Sequence, residues 1–136
     1  MWDAFDKADH FIVVTSATTD ASGRLIMNRG MAAEVQDRYA DAAQALGKHV
    51  LAKRNEHGIF GCIAIGKVGV LQDRYTHNEE LNLYCVGTAT TMLKWLAEEQ
   101  PRKKFHVEMA GQDQHWWLMK GCYEKLPSNV ILWSKP

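Results

Sequence analysis

The stretch Arg24-Leu25-Ile26-Met27-Asn28-Arg29-Gly30-Met31-Ala32-Ala33-Glu34-Val35-Gln36-Asp37-Arg38-Tyr39 decides how this chain is read. A short apolar run ends in a turn at Asn28-Arg29-Gly30, and an amphipathic helix follows. Met31, Val35, Tyr39, Ala42, Ala43 and Leu46 recur at the three-to-four spacing that lines one helical face, and Gly47 stands where such a helix stops. Upstream, Phe11-Ile12-Val13-Val14-Thr15 is a compact β-branched run, so the order is strand, loop, glycine turn, helix. A helix N-terminus presents unpaired N–H groups and partial positive charge, and a glycine there lets a phosphate come close. By spacing alone the same pattern fits a plain turn equally well.

The full 136-residue sequence bounds the answer. It is read as one domain, 1–136, large enough to bury about two-thirds of its unfolded surface. Sixteen basic side chains cancel 16 acidic ones, which leaves no footprint for gripping a nucleic-acid backbone non-specifically. A small phosphorylated ligand needs only a local positive site. Cys62, Cys85 and Cys122 form no Cys-x-x-Cys pair, and the six histidines show no zinc spacing. Buried thiols in a reducing compartment, with no metal and no cofactor, are expected. The N-terminus lacks a signal-peptide pattern, and the longest uncharged run, Leu81 to Leu93, is too short and polar to span a membrane. A cytoplasmic, soluble protein is the expectation.

Taken in order, Met1 to His10 is a short helical or irregular lead-in. Ser16 to Gly23 is a hydroxyl-rich loop, and Lys48 to His57 connects. Phe60 to Ile65 and Val68 to Leu71 read as two strands joined at Gly66-Lys67, a two-residue hairpin signal. Leu71 to His77 leads to a helix start at Asn78-Glu79-Glu80, and a helical rhythm then runs until Pro101 ends it. Phe105 to Met109 is a strand, with His106 or Glu108 half-exposed at an edge. Leu118 to Leu126 is helical, and Asn129 to Trp133 closes as a strand. The chain holds no nucleophile elbow, no Gly-Lys-Ser/Thr phosphate loop and no internal repeat.

The run Ile26-Met27-Asn28-Arg29-Gly30-Met31-Ala32, followed by Arg38-Tyr39, resembles the first ligand loop of the macro domain family. More narrowly, it resembles small phage or bacterial members with a met-gly-arg-gly-(ile/met)-ala … arg-tyr motif. Leu126-Pro127-Ser128-Asn129-Val130-Ile131-Leu132-Trp133 is similar to the family's leu-pro-asp-asn-val-x-val-trp ending. The resemblance implies an α/β protein, a three-layer α/β/α fold with a mixed central sheet. It also implies binding of ADP-ribose or a related phosphorylated nucleotide between the 15–31 and 71–77 loops. The ligand-binding residues it implies are Thr15, Ser16, Ala17, Met27, Asn28, Arg29, Gly30, Met31, Arg74, Gly111 and Trp116.

Three departures bear on chemistry. Leu71-Gln72-Asp73-Arg74-Tyr75 lies over a family phe-gln-val-lys-tyr motif, so Arg74 replaces a lysine that forms a covalent ribose adduct in glycohydrolases of a neighbouring branch. A guanidinium stays protonated and cannot attack, but it still pairs with phosphate. The glycine-rich second loop of the family becomes Gly111-Gln112-Asp113-Gln114-His115-Trp116-Trp117, with side chains where bare backbone would approach a phosphate. The family's Gly-Asp pair, whose aspartate holds the adenine amino group, has no match at Met1-Trp2-Asp3, where Asp3 is the candidate substitute. Asp113 and His115 are the residue types of acid/base catalysis, and Trp116 either stacks on a base or packs. Three readings stand. One is an ADP-ribose-binding module. Another is a hydrolase that removes ADP-ribose or a phosphate through Asp113 or His115. The third is a degenerate module whose partner is a protein.

Overall fold

The computed structural model describes residues 1–110 and 116–134, without the side chain of Trp116. A 3-10 helix, Trp2–Lys7, leads into β1 (His10–Thr15), α1 (Gly30–Arg38) and α2 (Ala42–Lys53). Next come β2 (Cys62–Ile63), β3 (Val68–Gln72), α3 (Leu83–Glu99), β4 (Phe105–Glu108), α4 (Trp116–Glu124) and β5 (Val130–Trp133). The sheet order is β2-β3-β1-β4-β5. β1 pairs in parallel with β3 and β4, β4 with β5, and among the described strands only β2 runs antiparallel. The sheet is therefore mixed, as expected.

The β-branched run of β1 is apolar on both faces because both are covered. Phe11 and Val13 pack with Ala32 and Val35 of α1 and with Ala43, Leu46 and Val50 of α2. Ile12, with Leu71 and Val107, packs against Ala89, Leu93 and Ala97 of α3 on the other face. Met119 and Tyr123 of α4 join Val86 of α3 in the same outer layer. Helices, sheet and helices make three layers. His106 and Glu108 are both buried, which settles the edge question left open by their charge.

The single helix read from Met31 to Leu46 is two helices. Tyr39 leaves helical geometry (φ −132°, ψ 86°), and its ring stacks on Phe5 at 5.4 Å between centroids. Gly47 does not end a helix; it lies inside α2 with its backbone against the first loop. A Cβ there would stand 2.1 Å from the Gly23 carbonyl oxygen and 2.7 Å from Leu25 N. The glycine serves close approach rather than termination. The hairpin is present but its turn is looser than two residues, since Ile63 pairs with Val70. The third helix starts later than Asn78: Asn82 is its cap, and the Asn82 side chain accepts from Cys85 N at 3.1 Å.

Asn129, in the closing motif, is buried, and its Nδ2 donates towards the carbonyls of Ala97, Gln100 and Lys103 at 3.0–3.1 Å. One amide thus satisfies the end of α3 and the turn into β4. Gly47→Ala should destabilise the fold by about 3 kcal/mol through overpacking against backbone. Urea unfolding measures this, and a midpoint within error of the parent would refute the close approach.

Candidate functional site

Three parallel strands end at the same side of the molecule: β1 at Thr15, β3 at Gln72 and β4 at Glu108. The connection leaving β1 runs through α1 and α2 on one face, and the one leaving β4 reaches α4 on the other. Adjacent strands whose connections part in this way open a crevice beyond their carboxyl ends, the usual ligand position in such sheets. Pairing between β1 and β4 extends only to Ile12 and Val107. Beyond it, the Val14 N–H donates to Glu108 Oε1 at 3.0 Å instead of to backbone.

The first loop is built by its own polar groups. Asp20 Oδ1 accepts from the N–H groups of Ser22 and Arg24 and from the Ser22 hydroxyl, closing a turn. The Ser22 hydroxyl foremost, then the Arg24 N–H, hold the Asp20 carboxyl below its usual value. Ile26 N donates to Thr18 O, and Leu25 N to Ala43 O, which ties the loop to α2. The loop then delivers Gly30 as the first residue of α1 with φ +59°, a left-handed conformation that suits glycine. The Arg29 side chain does not cap α1, and among the described residues a Cβ on Gly30 would meet nothing within 4 Å. Among the described residues, the start of this nine-residue helix is exposed.

The second loop is stitched to the first. Asp73 N donates to Thr15 O, Ala17 N to Tyr75 O, and His77 N to Thr18 Oγ1, at 3.1–3.2 Å. Arg29 Nη2 reaches across to Glu79 O at 2.9 Å, and Arg54 Nη1 holds Ala17 O at 2.8 Å. Beneath them Gln72 is fully buried; its Oε1 accepts from Phe60 N and Gly61 N, and its Nε2 donates to Gly58 O and Arg74 O. Arg74 is buried and pairs with Asp73 Oδ1 at 2.6 Å. Burial pushes the Asp73 carboxyl above its ordinary value and outweighs the opposing pull of the Arg74 and Arg29 guanidinium groups. Thr15 Oγ1, Arg74 Nε and His77 Nδ1 are buried without a hydrogen-bond partner. Three of the four such atoms among the described residues thus lie on these two loops.

No protein-family model and no curated protein sequence matches the chain. Solved structures do. The macrodomain of Thermus aquaticus DarG aligns with TM-score 0.68 at 15% identity, covering 95% of this chain and 90% of that one. Thermosipho africanus DarTG, in complex with ADP-ribose, aligns with TM-score 0.73 at 13% identity. It covers 98% of this chain, which spans 40% of that longer one. The macrodomain of Mycobacterium tuberculosis DarG aligns with TM-score 0.64 at 13% identity, covering 95% and 90%.

The chain has the macro-domain fold.

Within this macro-domain fold, the residues expected at a ligand site fall into distinct groups. Thr15, Ser16 and Ala17 are buried at the end of β1, while Asn28, Arg29 and Gly30 are exposed at the mouth of α1. Met31 is half-buried, and the Met27 side chain lies in the core, which leaves its backbone as the part near the mouth. Gly111, Asp113 and His115 lie outside the described residues; Trp116 opens α4, and its side chain lies outside them too. Sequence reading missed Asp73, Arg54, Gln72 and Glu108. Adjacency to Arg74 was a signal for Asp73; the other three act on partners distant in sequence and carry no local pattern.

The cysteines are free, and burial pushes Cys62 up to about 12 and Cys85 up to about 11. Neither is a nucleophile at neutral pH. Iodoacetamide should therefore label the partly exposed Cys122 first in the folded protein, as read by peptide mass mapping. Asp73→Ala should cost about 3 kcal/mol by stranding a buried guanidinium, and Asp73→Leu with Arg74→Met should recover most of it. Because the folded carboxyl keeps its proton to higher pH, the Asp73 contribution to stability falls as pH rises above 3.8 towards the raised value. Urea titrations across that window should show the slope vanish in the double variant.

Proposed function

We propose that this macro-domain chain binds ADP-ribose, or a closely related phosphorylated nucleotide, with the diphosphate at the start of α1. The observation that carries the reading is Gly30. Its left-handed backbone, an N-cap side chain that makes no cap bond and the absence of described atoms around a Cβ at Gly30 favour presentation of the first helix N–H groups to a ligand. Arg29 adds a guanidinium at the same mouth, with one donor committed to Glu79 O and others free for an anion. The partnerless polar atoms on the 15–31 and 71–77 loops, and the ADP-ribose complex of the Thermosipho africanus neighbour, support the same reading.

Binding without covalent chemistry at Arg74 is favoured, because a guanidinium paired with Asp73 inside the protein cannot act as a nucleophile. A hydrolytic role would fall to Asp113 or His115 with water as attacking group, and a pocket given over to a protein partner is the remaining reading. The working setting proposed is the cytoplasm, as for a phage-type module. No described helix is long and apolar enough to cross a membrane.

Calorimetric titration with ADP-ribose tests the reading. The parent protein should give a single-site isotherm, and Gly30→Glu should lose it while remaining folded. A Cβ there meets no described atom within 4 Å, so the fold pays about 1 kcal/mol for the backbone geometry. Undiminished binding in the folded variant would remove the phosphate from α1. Asp113→Ala should leave binding in place, and loss of a measurable release of ADP-ribose in that variant would favour the hydrolase.

A further inference from the structure

A second cavity lies at the opposite end of the sheet, where the parallel strands begin. It encloses about 400 Å3 between α2 and the segment joining β2 to β3. Its wall is apolar: Leu46 and Ile63 are buried, and the rings of Phe5 and Tyr39 stack with an interplanar angle of 19°. Tyr39 and Ile65, at its edge, are two of the large apolar side chains that folding leaves exposed. Such a volume with a few convergent polar groups is the size and make-up of a small-molecule site.

The polar groups are Asp41, His49 and Lys67, and among the described residues none forms an ion pair with another side chain. Asp41 directly precedes α2, where the helix field offsets a negative charge. Lys67 makes no ion pair among the described residues, although its charge, after the Lys104 N–H, helps hold the Asp9 carboxyl below its usual value. Its Nζ donates to Ala8 O at 2.5 Å and stands 4.6 Å from the centre of the Phe5 ring, contacts that are neutral and leave two donors unused. An aromatic surface thus lies beside an ammonium that forms no ion pair among the described residues, with His49 on α2 at the same cavity.

We infer that this cavity binds a small aromatic anion, its ring system against Phe5 and Tyr39 and its acidic group at Lys67. The site is separate from the nucleotide crevice, and the inference stands whether or not ADP-ribose binds there.

Anilinonaphthalene sulfonate, an aromatic anion that fluoresces in apolar surroundings, is the probe. Titration of the folded chain should saturate at one site. Ala45→Trp, an exposed α2 position at the cavity, should abolish the signal without changing the unfolding temperature. Lys67→Gln should weaken binding about tenfold, as expected for one lost charged contact, and uncharged phenylnaphthylamine should lose affinity by a similar factor. Binding that ignores both substitutions, that fails to saturate, or that disappears in Gly87→Glu at the separate α3 groove of Tyr84 and Trp95 would overturn the assignment.

Discussion

The close approach of Gly47 to residues 23–25 is the constraint on which the rest of the candidate site depends. Only a residue without Cβ lets α2 lie against the Gly23 carbonyl and the Leu25 amide. That contact, with the Leu25 N to Ala43 O hydrogen bond, fixes the descending arm of the first loop. The loop in turn sets where α1 begins. A side chain at position 47 would lift the loop from α2 and move Gly30 away from the ends of β1 and β3.

The second loop is held by the same logic from the other side. Gln72, with every hydrogen-bonding group used, anchors the segment 58–61 to the end of β3, and Thr15, Ala17 and Thr18 take hydrogen bonds with residues 73–77. A fully satisfied buried amide rigidifies a frame, while partnerless polar atoms left within that frame mark where protein alone does not complete the bonding. Thr15, Arg74 and His77 supply those atoms. Rigid support beneath and unmet polar capacity above is the combination a binding crevice requires.

Much of this was legible in the sequence because it depends on local pattern. The β-branched run of β1, the apolar rhythm of α3 and the Pro101 stop, and the strand after Leu126-Pro127 all follow from periodicity and punctuation. What failed did so where one residue type serves two ends. Gly47 was read as a helix terminator, but its missing Cβ is used against another segment's backbone, which no local pattern reports. The break at Tyr39 likewise coincides with its stacking on Phe5, a residue far away in sequence. Asp73, Arg54 and Glu108 matter through partners chosen by the fold, so charge alone could not assign them. The family likeness at Met27 to Ala32 was carried by short motifs, and structural neighbours of 13–15% identity share the fold over almost the whole chain.

The most direct test of the central claim is the amide NMR spectrum of the folded chain as ADP-ribose is added. An anion held by the helix start should shift the N–H resonances of Gly30, Met31 and Ala32 furthest downfield, with smaller shifts at residues 15–18 and 73–77. Saturable shifts concentrated there would place the phosphate where the open helix start receives it. Shifts confined to other segments, with the Gly30 to Ala32 amides unmoved at saturation, would contradict the account.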